Sequence, residues 1–145
     1  MIPKRIILHH SLTQDSDTVS WGAIRKYHTE ILGWSNVGYH FGLELVGDYY
    51  EIFVGRMLNE VGVHTKHQNH DSLGLCLIGN FDLSEPPPEQ WNLAVKLVVS
   101  LCKVFTIPPD MIFGHSDFAK KSCPGEKFSM YGFVKQVSEK IANNG

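Results

Sequence analysis

With 145 residues, 43% of them hydrophobic and 19% charged, the chain has the size and composition of one ordinary globular domain. Its net charge of −2 lacks the basic excess of a nucleic-acid or membrane-surface binder, so neither partner is expected. Eight histidines and three cysteines, in contrast, favour a transition-metal site.

The N-terminus runs straight into residues 5–10, an apolar stretch ending in His9 and His10 that reads as a buried strand. That stretch is too short for a secretory signal, and no run approaches the roughly 20 residues needed to span a bilayer. Three cysteines cannot all pair within one chain, so a reduced compartment is expected. Residues 16–20 offer N-cap side chains for a helix over 21–32, with Ile24, Tyr27, Ile31 and Leu32 on one face and Gly33 as its stop. Residues 39–45 and 49–54 read as strands joined by a hairpin turn at Gly47-Asp48. The continuous apolar run 73–78 predicts a strand covered on both faces. After three prolines, residues 89–105 form an amphipathic helix with Leu93, Leu97, Val98, Leu101 and Phe105 on one side. A short strand over 111–114 and a closing helix over 131–142 complete an α/β pattern, a single domain with a mixed sheet flanked by helices.

Chemistry-bearing residues gather at strand ends. His9 and His10 close the first strand, and successive strand residues face opposite ways, so only one can address a given site. His115 closes the last strand, and Cys123-Pro124 follows after a short loop. Two imidazoles and one thiolate are the ligand set of a zinc site with a fourth position open to water, whereas a closed structural site uses four protein ligands. By spacing alone, the His–Cys pair fits either such a site or an ordinary loop.

Five segments together resemble the zinc-dependent N-acetylmuramoyl-L-alanine amidases, the family of the T-odd phage lysozyme and the peptidoglycan recognition proteins. They are residues 8–13, 24–28, 37–41 (Val-Gly-Tyr-His-Phe), 61–79 and 114–124, in family order and covering nearly the whole chain. The resemblance implies one zinc ion held by His9, His115 and Cys123, with Tyr39 and Lys121 as catalytic residues. It also places His28, His64, Thr65 and Asn69 along the substrate groove. The implied reaction is hydrolysis of the amide between N-acetylmuramic acid and L-alanine of bacterial peptidoglycan. In such a site the metal polarises the carbonyl and lowers the pKa of its water, while Lys121 and the Tyr39 hydroxyl face the developing oxyanion. No carboxylate occupies a general-base position, which leaves Tyr39 the first candidate to move the proton.

The short phage-type members are the nearest likeness, so the expectation is a monomeric endolysin, made in a host cytoplasm and released through a holin, without a cell-wall-binding domain. Alternatives are a recycling amidase on soluble muropeptides and a non-catalytic peptidoglycan-binding module, though binding-only relatives commonly lose the cysteine. Other readings remain structural. Cys76 and Cys102 read as small buried hydrophobes, His28 as a packing or groove-lining histidine, and Tyr39 equally as a core aromatic. His64, His67 and His70 have the spacing of a second metal cluster, but the residues between them read as loop.

Overall fold

The computed structural model describes residues 1–12 and 21–143, so the capping residues read in 16–20 lie outside the described residues. The strands are β1 (Arg5–His10), β2 (Phe41–Val46), β3 (Tyr49–Val54), β4 (Ser72–Leu77) and β5 (Ile112–Gly114), and the α-helices α1 (Trp21–Lys26), α2 (Pro88–Phe105) and α3 (Met130–Asn143). The strands form one sheet in the order β3-β2-β4-β1-β5, parallel throughout except for the antiparallel β2–β3 hairpin. Gly47, at φ 63°, takes the left-handed conformation in the hairpin turn, as glycine does at no steric cost.

Side-chain alternation divides the sheet into two unlike faces. On one, Ile6 and Leu8 of β1, Leu43 of β2, and Leu73, Leu75 and Leu77 of β4 pack with Val95, Val98, Leu101 and Cys102 of α2 and with Phe133 and Val137 of α3. Full burial of each such aliphatic side chain contributes roughly 1.5–3 kcal/mol, so this layer holds most of the stabilising apolar area. Gln90, fully buried on α2, donates from Nε2 to the carbonyls of Leu43 within β2 and Ile78 just past β4, tying the helix to both strands. The opposite face carries Ser72, Gly74 and Cys76 from β4 and His9 from β1, over a smaller cluster of Trp21, Val37, Cys76 and Ile78. Cys76 and Cys102 are buried as expected.

Two helices differ from their sequence readings. Beyond Lys26 the first helix widens into a π-helical segment, Tyr27–Ile31, and its supposed core face is largely exposed: Tyr27 52%, Ile31 70% and Leu32 41%. Trp21 makes the burial instead, lying where a Cβ at Gly42 would stand 2.4 Å from its ring. The buried stripe of α2 runs through Gln90, Ala94, Val98, Leu101 and Cys102, while Leu93, Leu97 and Phe105 are half-buried flanks of it. Helical periodicity locates an apolar arc, but the position of the neighbouring sheet and helix decides its centre.

Candidate metal centre

Register brings the two histidines together. Leu8 of β1 lies opposite Gly114 of β5, so the residues that follow each, His9 and His115, emerge side by side at the carboxyl ends of parallel strands. Their rings stand 4.7 Å apart between centroids. Open α/β sheets place ligand sites at such strand ends. Cys123 arrives from the loop after β5, whose path is held by Ser116 N donating to Cys123 O at 2.7 Å and Lys127 N donating to Phe81 O at 2.7 Å. The Cys123 Sγ lies 3.7 Å from His9 Nδ1. One ligand atom from each of His9, His115 and Cys123 falls within 4.8 Å of the others.

The site's electrostatics suit a cation. Burial, reinforced by His64 and His115, holds His9 well below the ordinary histidine range. Burial also lowers His115, with the Lys121 charge adding to it. Both imidazoles are therefore neutral, the form that ligates. Burial pushes the Cys123 thiol up to about 11, opposed by the His10 backbone N–H and the Lys121 charge. The His10 N–H donates to Sγ at 3.4 Å, an arrangement that also suits a thiolate. A cation bound here would displace the thiol proton, which is how metal binding releases protons at neutral pH.

His9, not His10, faces this centre. The His10 ring turns toward the opposite sheet face, where its Nδ1 accepts from Phe81 N at 3.1 Å. Tyr39 stands beside the cluster, its ring 5.2 Å from that of His9. Burial, next to Cys76 and Cys123, raises the Tyr39 phenol well above its usual value. It therefore keeps its proton at neutral pH and can donate a hydrogen bond, which fits an oxyanion donor better than a base. Lys121 is exposed, two residues from Cys123 in sequence, and its charge is felt at His9, His115 and Cys123.

The four residues expected along a groove have other attachments. Thr65 is 2% exposed, and its hydroxyl lies 3.2 Å from His9 Nε2 and 3.0 Å from His64 Nδ1. His64 turns inward to His9, at 3.0 Å between Nδ1 and Nε2, and burial lowers its pKa to about 3. Asn69 accepts on Oδ1 from the backbone N–H groups of His64 and Thr65, at 3.0 and 2.9 Å. His28 accepts from Gly38 N at 3.0 Å and packs against Trp34, with ring centroids 4.6 Å apart. His67 and His70 are exposed and do not join His64, so these three form no second cluster.

Sequence reasoning missed Asp82. Its Oδ1 accepts from Glu126 N and its Oδ2 from Ser122 Oγ, both at 2.9 Å, so it clamps the loop that delivers Cys123. Asp82 lies forty residues from Ser122, and no local pattern connects them.

Residues 1–126 match the sequence profile of the family described as N-acetylmuramoyl-L-alanine amidase. The chain is similar to the endolysins of Enterobacteria phage T3, 36% identical over 125 residues, and Escherichia phage T7, 35% identical over 125 residues. Each of these alignments covers 82% of this chain and 78% of the relative. Among solved structures, it resembles the N-acetylmuramoyl-L-alanine amidase LysC from Clostridium intestinale URNW, at TM-score 0.83 and 27% identity, over 94% of this chain and 85% of that one.

Proposed function

The chain belongs to the N-acetylmuramoyl-L-alanine amidase family, and on that premise we propose that it cleaves the amide between N-acetylmuramic acid and L-alanine in peptidoglycan with one zinc ion held by His9, His115 and Cys123. The carrying observation is the convergence of these three side chains to within 4.8 Å beside Tyr39. The donor set fits zinc: two neutral imidazoles and one sulfur, with too few protein ligands to close a structural site. Bound there, zinc would supply Lewis acidity, which activates water at neutral pH and polarises a carbonyl.

The remaining chemistry falls to the chain's own groups. The Tyr39 hydroxyl, protonated and half-buried, donates a hydrogen bond to the oxygen of the scissile amide as charge develops on it. The Lys121 ammonium supplies a positive charge beside the cysteine ligand and helps balance that developing negative charge. Asp82 and the Ser116 N–H hold the loop so that Cys123 and Lys121 keep their place. His28 and Trp34 form a wall near Tyr39, where part of the muropeptide would rest.

Likeness to phage endolysins supports a lytic role on intact cell walls. Among the described residues no helix is long and apolar enough to cross a membrane, and the likeness to phage endolysins favours release through a pore such as a holin. Mass spectrometry of digested sacculi tests the reaction. Stem peptides with a new L-alanine amino terminus and no new reducing ends are expected; reducing ends released in proportion to lysis would overturn it. Faster turnover of intact sacculi than of soluble muropeptides supports the lytic role, and the reverse supports a recycling one.

A further inference from the structure

We propose that His64 is a positioning residue for the metal centre: its Nδ1 accepts a hydrogen bond from the N–H at His9 Nε2, which fixes the His9 tautomer whose Nδ1 faces Cys123. This inference rests on the zinc reading above and concerns what stands behind the ligand.

The two nitrogens of His9 face different partners. Nδ1 points to the cysteine, 3.7 Å from Sγ, so it is the ligating atom and must be free of its proton. The single proton of the neutral ring then sits on Nε2, in a buried position where an unpaired N–H is costly. Two acceptors meet it there: His64 Nδ1 at 3.0 Å and Thr65 Oγ1 at 3.2 Å. For His64 Nδ1 to accept, His64 must hold its own proton on Nε2, and that atom lies 3.4 Å from Ser72 Oγ. Ser72 Oγ in turn donates to the Gln68 carbonyl at 2.6 Å, which leaves its lone pairs facing His64. The donors thus run in one direction, from His9 through His64 to Ser72 and Gln68. Metal-bound histidines characteristically direct their second N–H at an acceptor that fixes ring and tautomer.

The backbone around His64 is shaped for its ring. A Cβ at Gly74 would stand 2.5 Å from His64 Cγ, and a Cβ at Gly62 would stand 2.7 Å from His64 Cδ2. Two chain segments thus lack side chains where the imidazole lies. Asn69 Oδ1 fixes the backbone on either side of the ring by accepting from the N–H groups of His64 and Thr65. His64 cannot itself be a fourth ligand, because its Nδ1 meets the edge of His9 that points away from Cys123.

Zinc affinity, measured by competition with a chromophoric chelator at neutral pH, tests the proposal together with the visible spectrum of the cobalt-substituted protein. His64→Phe fills the slot without an acceptor, and His64→Asn restores an acceptor near the position of Nδ1. His64→Phe should weaken zinc binding roughly 10- to 100-fold and alter the cobalt ligand-field bands, with metal-free thermal unfolding close to wild type. His64→Asn should recover most of the affinity and the wild-type spectrum. Wild-type affinity and spectrum in His64→Phe overturn the proposal, as does equal metal loss in both variants. Should His64→Phe fail to fold, Ser72→Ala decides: it frees His64 to place its proton on Nδ1, opposing that of His9. A several-fold loss of zinc affinity supports the assignment and an unchanged affinity overturns it. A wild-type chain that holds no zinc would instead overturn the metal reading itself.

Discussion

Gly74 and Leu75 are neighbours on β4 and do opposite things. Leu75 enters the apolar layer beneath α2, where shape and volume matter and one aliphatic group resembles another. Gly74 faces the side of the His9, His115 and Cys123 cluster, where a single added carbon would meet the His64 ring. The same division holds across the sheet. The helix-covered face is built of Leu, Ile, Val and Phe, while the other sets hydrogen-bonded His, Gly, Ser and Cys beside a smaller apolar cluster of Trp21, Val37 and Ile78. The first face stabilises the fold and tolerates exchange of similar side chains. The second holds the cluster of His9, His115 and Cys123, whose proposed role depends on the positions of particular atoms.

Substitutions of cysteine separate the faces most sharply. Cys123→Ala should lose the zinc, which is expected at about one per chain in the wild type, and with it the amidase activity. Cys102→Ala, in the helix layer, should keep both and show only a packing loss. Elemental analysis and turnover of sacculi read this out, and a Cys123→Ala protein with full metal and activity would remove Cys123 from the site. Next in size, Tyr39→Phe should lower the rate about 100- to 1,000-fold while zinc content stays unchanged. Near-wild-type turnover would make Tyr39 a packing aromatic.

The neighbouring pair on β4 gives a sharper test on one strand. Leu75→Ala should cost about 2–5 kcal/mol in chemical denaturation, while the folded fraction keeps its zinc affinity. Gly74→Ala should do the reverse in kind, displacing His64 and weakening zinc about tenfold or more. Equal effects of the two on metal and stability would erase the distinction between the faces.

The smallest effect expected is on pH. Burial lowers His40, whose Nδ1 accepts from Gly74 N and whose Nε2 donates to the Glu60 carbonyl, so it is neutral when folded. Below the unfolded histidine value of 6.5 the unfolded chain therefore binds more protons than the folded one. Stability contributed by His40 is present above that pH and lost as pH falls below it, by at most about 1.4 kcal/mol per pH unit for this residue. His28, also lowered by burial, acts in the same direction. Thermal midpoints of chelator-treated protein should fall on acidification, and a midpoint that rises would contradict the buried neutral state.

The sequence by itself determined the strands, the two long helices and the family to which the chain belongs. Apolar runs such as residues 5–10 and 73–78 allow few other structures, and five motifs in order place His9, His115 and Cys123 without any distance. Strand alternation by itself names two opposite faces, and the resemblance assigned His9 to the centre; the tertiary structure brings His9 to His115 and Cys123 and turns His10 to Phe81. It also decided that Thr65 and His64 stand behind His9, and that Asp82 holds the Cys123 loop. The exposure of Tyr27, Ile31 and Leu32 was likewise hidden, since periodicity cannot report whether another element arrives to cover a face. The physical reason is common to all of these. Secondary structure and motif spacing act along the chain, whereas a tautomer, a clamp or a buried face depends on atoms brought together from segments dozens of residues apart.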